Sequence, residues 1–216
     1  MRLHSYLKAF RGFTKSEVMN YYKKGLITVN DVPQKLSYKI QKGDLIKIGN
    51  EIIIEKPFVY YLYYKPKGVL STIRNCDYSY INAISLKDKV SPAGRLDKNS
   101  EGLMLLSNDG NFLHDYSKPN SHKKIYIVTL GNKITDSFIM NISKSYELDG
   151  RITTPFKTEI IDDYNVNLEL NEGLYHQIRR IVKLSGNNVI NLKRISIGKY
   201  ELGDMKPGEI RKIIDF

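Results

Sequence analysis

Residues 91–110 read SPAGRLDKNSEGLMLLSNDG. Four charged side chains, Arg95, Asp97, Lys98 and Glu101, are gathered around two glycines, Gly94 and Gly102. An apolar run, Leu103 to Leu106, follows at once and stops at the turn signal Asn108-Asp109-Gly110. A short unbroken apolar run bounded by glycine and a turn reads as a strand buried in a sheet. Read locally, Asp97 has two roles open to it. It can cap a turn and pair with Arg95 or Lys98 at the surface, which is worth ~0–1 kcal/mol. Alternatively, the glycines expose it at a cleft, where a cation within ~4–6 Å keeps it ionised and available as nucleophile or base.

Outward from this loop, residues 57–216 alternate between strand-like runs and turns. FVYYLYY, GLMLLS, KIYIVTL, VNLEL and VINLKRISIG read as strands. NFLHDYS, TDSFIMNISKSY and YHQIRRIVKLSG read as helices, the last with Ile178, Ile181, Val182 and Ser185 on one stripe and Gly186 as its stop. The expected fold is α+β, a mixed and mainly antiparallel sheet flanked by helices.

Residues 1–56 read as a separate small α+β unit. Leu3, Tyr6, Leu7 and Phe10 lie at i, i+3, i+4 and i+7, one face of a helix that Gly12 breaks. Thr14-Lys15-Ser16-Glu17 has the form of a capping box for a second helix, with Val18, Tyr21 and Tyr22 on its apolar face and Gly25 as its end. LITVNDVPQ and GDLIKIGNEIIIE predict short strands around Asn30-Asp31 and Gly49-Asn50 turns. Glu55-Lys56-Pro57 is the expected linker, because Pro57 drives Lys56 toward extended geometry.

Charge sharpens this division. The chain has 216 residues, 34 Lys/Arg against 23 Asp/Glu and a net charge of +11, which points to a polyanionic partner. Residues 1–56 hold 11 of those bases and 5 of the acids, a surplus of 6 in about a quarter of the chain. Lys8, Arg11, Lys15, Lys23 and Lys24 lie on or beside its two helices, as a solvated face or a phosphate-binding one. No apolar run reaches the ~18 residues of a spanning helix, and no signal-peptide core opens the chain, so no membrane partner is expected. The single Cys76 forms no internal disulfide and no cysteine-rich zinc site. A reducing cytoplasm is the expected compartment. His4, His114, His122 and His176 lack zinc-site spacing, so no metal is expected.

Two resemblances cover nearly the whole chain. The first ~50 residues, two basic helices followed by GLITVNDV and KGDLIKI, resemble an S4 RNA-binding domain. AGRLDKNSEGLMLLSNDG resembles the central motif of the pseudouridine synthases that carry a fused S4 domain. YKPKGVLST (Tyr64 to Thr72), KKIYIVTL, EGLYHQIRRI (Glu172 to Ile181), LKRISIG and LGDMKPGE are similar to the family's other motifs and come in its order. Ser100 stands where threonine is usual and Met104 where leucine is usual, and neither change alters charge.

The resemblance implies a uridine-to-pseudouridine isomerase with residues 1–56 on RNA and residues 57–216 catalytic. It implies Asp97 as the catalytic residue, Arg179 as the cation paired with it and Tyr126 as the ring lying against the target base. Arg95 is implied to enter the space that the flipped base leaves. Ile178 and Leu192 pack around the uracil or simply within the core. Lys65 and Lys67, in a turn near the site, and His176 and Arg180 are expected RNA contacts. The reaction conserves every atom, so no cofactor is expected. SPAGRLD and YHQIRR are closer to the small-subunit, 16S branch than to the V-G-R-L-D and R-N-R-Q-V-R-R of large-subunit relatives. The expected target is a uridine-516-type site during small-subunit assembly, on ribosomal RNA or a pre-ribosomal particle, by a monomer. The rivals are a 23S rRNA enzyme, a non-catalytic S4-type assembly factor and a DNA-binding protein.

Overall fold

The computed structural model describes residues 1–11, 13–53, 57–72, 78–84, 86 and 88–214, with the side chains of 9–11 and 81 outside the description. Gly12, Glu55, Lys56 and Cys76 therefore lie outside the described residues, as do the side chains of Phe10 and Arg11.

Helices α1 (Leu3–Arg11) and α2 (Lys15–Lys23) open the chain. The capping box forms as expected: the Glu17 amide donates to the Thr14 hydroxyl at 3.2 Å, and the Thr14 amide donates to the Glu17 carboxylate at 2.6 Å. Strands β1 (Ile27–Val29), β2 (Val32–Pro33), β3 (Ile46–Ile48) and β4 (Glu51–Ile52) make an antiparallel sheet in the order β2-β1-β3-β4. Asn30 and Asp31 both take positive φ, 52° and 64°, as a two-residue hairpin matched to strand twist requires. Leu3, Tyr6 and Leu7 of α1 and Val18 of α2 share one core with Ile27, Val29 and Ile46 of this sheet.

The rest of the chain runs β5 (Tyr60–Lys65), α3 (Tyr80–Ala83), β6 (Ser91–Pro92), β7 (Glu101–Ser107), α4 (Gly110–Ser117), β8 (Lys124–Leu130) and α5 (Asp136–Ile142). It continues through β9 (Glu147–Leu148), β10 (Arg151–Ile152), β11 (Lys157–Ile160), β12 (Asn165–Leu170), α6 (Gln177–Leu184), β13 (Val189–Ile197), β14 (Tyr200–Glu201) and β15 (Ile210–Lys212). The main sheet has the order β11-β12-β8-β13-β7-β5-β15, with β14 on β13 and β6 on β7. Its pairings are antiparallel except β7 with β13, which is parallel. This is the mixed, mainly antiparallel sheet that the sequence predicts. β9 and β10 form a separate two-stranded ribbon.

The unbroken apolar run of β7 has a direct explanation. Met104 and Leu106 join Tyr61 and Tyr63 of β5 on one face, in a core shared with Phe138 of α5 and Ile178, Ile181 and Val182 of α6. Leu103 and Leu105 join Tyr64 on the other face, against Phe112 and Tyr116 of α4. A strand covered on both faces loses the alternation of a half-exposed one. Among the described residues no helix is long and apolar enough to cross a membrane.

Candidate active site

The site is built on one row across four strands. Lys65 of β5 lies opposite Gly102 of β7, Gly102 beside Arg194 of β13, and Arg194 opposite Tyr126 of β8. Opposed residues of neighbouring strands project to the same face, so the two cations and the tyrosine share one side, with Gly102 between the cations in the row. Arg194 is only 2% exposed. Its Nε donates to the Leu103 carbonyl at 2.7 Å and its Nη1 to the Tyr126 hydroxyl at 3.4 Å, while Nη2 has no hydrogen-bond partner. Arg194 thus backs the tyrosine from beneath.

Asp97 sits in the loop that enters β7, and the segment from Lys65 to Ser71 holds that loop. The buried Ser71 hydroxyl donates to the Leu96 carbonyl at 2.7 Å and accepts from the Leu96 amide at 3.1 Å. The Gly68 amide donates to the Lys98 carbonyl at 2.8 Å. Lys65 donates from Nζ to the carbonyls of Pro66 and Val69, both at 2.9 Å. Asp97 is thus gripped by backbone on either side while its carboxylate stays 35% exposed.

Lys65 is a correction to the expected RNA contacts. It is fully buried, so no phosphate reaches it. Burial pushes its pKa down to about 8, the charge of Arg194 adds to the fall, and Asp97 and Glu101 oppose it. The Lys-Pro-Lys-Gly stretch resembled an exposed basic turn; only pairing with Gly102 turns its first lysine inward. Lys67 remains exposed.

Two residues at the start of α6 face the Asp97 loop. His176 takes left-handed φ/ψ of 50°/30° and makes no side-chain cap. Its Nε2 instead lies 3.4 Å from Oδ1 of Asp97. Arg179 donates from Nη2 to the Asn99 carbonyl at 3.1 Å and to the Ser100 hydroxyl at 3.3 Å. The expected Asp97–Arg179 pairing is therefore corrected: the side chain that meets the Asp97 carboxylate is His176, and Arg179 holds the loop behind it. The turn from Asp97 to Ser100 presents its own carbonyl and hydroxyl to the guanidinium, and the left-handed cap swings the imidazole over the carboxylate. Arg180 is also engaged, in a forked pair with Asp149 at 2.8 and 3.1 Å. Glu101 accepts from Tyr64 and Asn191.

The remaining expected residues converge. One recess of about 100 Å³ is lined by Arg95, Asp97, Tyr126, Ile178, Arg179 and Leu192, together with Leu96, Ser100, Leu170, Gly173, Leu174, His176 and Gln177. Leu96, Tyr126, Ile178 and Leu192 are buried and make it apolar within; Arg95 is exposed at its rim. A wider groove of about 910 Å³ opens beside it and shares Asp97, Arg95 and His176. Asp97 is the one carboxylate lining either cavity among the described residues. Among those residues no three His, Cys, Asp or Glu side chains cluster as a metal site. Lys8, Lys15, Lys23 and Lys24 are exposed in the first unit, apart from this cavity.

Two residues of the site escaped the reading of the sequence. Arg194 could have been found by alternation, since it falls two residues from the inward Leu192. Gln177 gave no local signal. It is buried, accepts from the Leu174 amide at 3.0 Å and donates to Glu172 at 2.6 Å, which fixes the loop before α6. Ser100, the departure from threonine, is itself buried and receives Arg179.

Comparison with known proteins matches residues 59–183 to a family described as RNA pseudouridylate synthase. The ribosomal small subunit pseudouridine synthase A of Pasteurella multocida is 35% identical over 99% of this chain and 96% of that protein. The dual-specificity RNA pseudouridine synthase RluF of Escherichia coli is 28% identical over the whole of this chain and 76% of its own. A crystal structure of a pseudouridylate synthase superposes with a TM-score of 0.70 at 31% identity, covering 99% of this chain and 96% of the other.

Proposed function

The chain belongs to the RNA pseudouridylate synthase family, and we propose on that premise that it isomerises a uridine of small-subunit ribosomal RNA, with Asp97 as the catalytic carboxylate. Enzymes of this family are isomerases. In the reaction the bond from uracil N1 to ribose C1′ breaks, the base turns, and C5 takes the place of N1. N1 gains a proton and C5 releases one, so the balance closes without oxidant, reductant or energy source.

The observation that carries the reading is that, among the described residues, Asp97 is the sole carboxylate in both cavities. It stands at the mouth of an apolar recess floored by Tyr126, Ile178 and Leu192. A uridine must leave its stack to enter, at a cost of a few kcal/mol. Stacking on an aromatic ring returns ~1–3 kcal/mol, and Arg194 fixes the Tyr126 ring for that purpose. Arg95, exposed at the rim, enters the space that the flipped base leaves.

Small-subunit RNA is favoured over a dual target by the higher identity and coverage of the small-subunit relative. A uridine-516-type site in an assembling particle is the finer form of this reading. The exposed lysines of α1 and α2 suit an S4-type unit that docks on structured RNA, in the cytoplasm where ribosomes are made.

Release of tritium from 16S rRNA labelled at uracil C5 tests the assignment. Asp97→Asn keeps the size of the side chain and removes its charge. Its release should fall below detection while RNA affinity changes less than about threefold. Release at the wild-type rate by this variant would refute the role of Asp97. Release from 23S rRNA alone would refute the proposed target.

A further inference from the structure

We propose that the groove beside Asp97 binds a nucleotide flanking the target uridine, with the ring of Tyr175 as its stacking platform; this rests on the RNA substrate proposed above. Size separates the two cavities. A recess of about 100 Å³ has no room for more than the reacting base, whereas a groove of about 910 Å³ is at the upper end of ordinary ligand sites. The two open into one another at Asp97 and His176. A strand that delivers a uridine to the recess can therefore continue along the groove, which shares Arg95, Asp97 and His176 with it.

Tyr175 lines this groove and is 70% exposed. Its ring is stacked on His176, with centroids 4.0 Å apart and planes 12° from parallel, so one face is covered and the other is open. The stack is held in place. The Tyr175 carbonyl accepts from Arg180, which Asp149 anchors, and His176 is in the left-handed conformation that most residues with a β-carbon avoid. The chain thus spends backbone strain to hold a large ring outside the core.

Charge identifies the occupant as RNA rather than a protein segment. Arg95 and Lys98 border the groove, and among the described residues Asp97 is the one acid lining it. Lys98 also lies 4.0 Å over the ring of Tyr78, itself 60% exposed. Exposed rings interleaved with the cations Arg95 and Lys98 match a single strand of stacked bases and phosphates. Every base has a π-face, so Tyr175 contributes affinity without reading sequence.

The test uses the full-length protein and two probes. A single-stranded oligoribonucleotide of about 10 nucleotides, with 2-aminopurine on one side or the other of a central uridine, reports stacking by fluorescence quenching. The 16S rRNA transcript reports Kd and KM. Wild type should quench the probe at one flanking position. Tyr175→Ala should lose that quench and raise Kd and KM about 5- to 150-fold, which is 1–3 kcal/mol converted, with the loss in KM and not in kcat. Tyr175→Phe should retain both, because the ring face and not the hydroxyl is used. Unchanged quenching and Kd in Tyr175→Ala would overturn the proposal, as would a fall in kcat at unchanged Kd. Quenching needs no turnover, so it reads the groove even if the small-subunit target proves wrong.

Discussion

A β-carbon on Gly102 would stand 2.2 Å from the carbonyl oxygen of Arg194, and Gly102 also has φ of +112°. No β-carbon tolerates the first, and few side chains adopt the second. The parallel pairing of β7 with β13 therefore exists because residue 102 is glycine.

Gly102→Ala must separate those strands. Overpacking and backbone strain each cost about 1–3 kcal/mol, so a loss of about 3 kcal/mol or more is expected. The same shift moves Asp97 away from Tyr126. Urea unfolding and tritium release should both record the damage; stability within 1 kcal/mol of wild type would contradict the packing described.

His176 and Arg179 divide the support of Asp97, and their variants should differ. Asn tolerates left-handed backbone, so His176→Asn should change stability by about 0.5 kcal/mol or less while removing the ring beside Asp97 and lowering kcat. Arg179→Lys keeps a cation without the fork and should retain part of the activity. Arg179→Leu leaves Ser100 and the Asn99 carbonyl without their donor and should lose far more. Equal activity of the two Arg179 variants would show that this charge does no work.

Lys65 makes stability depend on alkaline pH. Its folded pKa of about 8 lies below the ordinary 10.5, so between these values the unfolded chain binds more protons and stability rises with pH. Below about pH 8 the cost of the buried charge is fully present. A neutral amine still has two N–H groups for the Pro66 and Val69 carbonyls. The slope due to one group is at most about 1.4 kcal/mol per pH unit. Tyr60, Tyr63 and Tyr64, pushed up to about 12, act oppositely above pH 10, where the folded state holds the extra protons. Denaturant unfolding should thus show rising stability from about pH 8 to 10 and a decline beyond. Lys65→Met should flatten the rise; an equal slope in that variant would locate the effect elsewhere.

The basic helices make a separate prediction. Each phosphate contact contributes ~0.7–0.9 to the slope of log K against log salt. Charge reversal at the exposed Lys23 and Lys24 should reduce that slope by about 1–2 and weaken RNA binding at low salt, with kcat unchanged. An unchanged slope would mean that α2 does not lie on the RNA.

Capping, alternation and turn chemistry act over a few residues, and they were legible in the sequence. The Thr14 box, the Asn30-Asp31 hairpin, the apolar stripe of α6 and the buried run of β7 each declare themselves locally. So did the loop that carries Asp97, through its glycines and its place before β7. The edge strands β11 and β15 did not, because exposed strands carry no apolar pattern. The surroundings of Asp97 depended on strand register, which pairs residues far apart in the chain. Register alone puts Lys65, Gly102, Arg194 and Tyr126 in one row, burying a lysine that looks like surface together with an arginine. Likewise, only the left-handed turn at His176 decides that the imidazole meets Asp97 while Arg179 holds the loop behind it. Local sequence specifies which groups are present and in what conformation; which cation faces which carboxylate is set by the packing of β7 between β5 and β13.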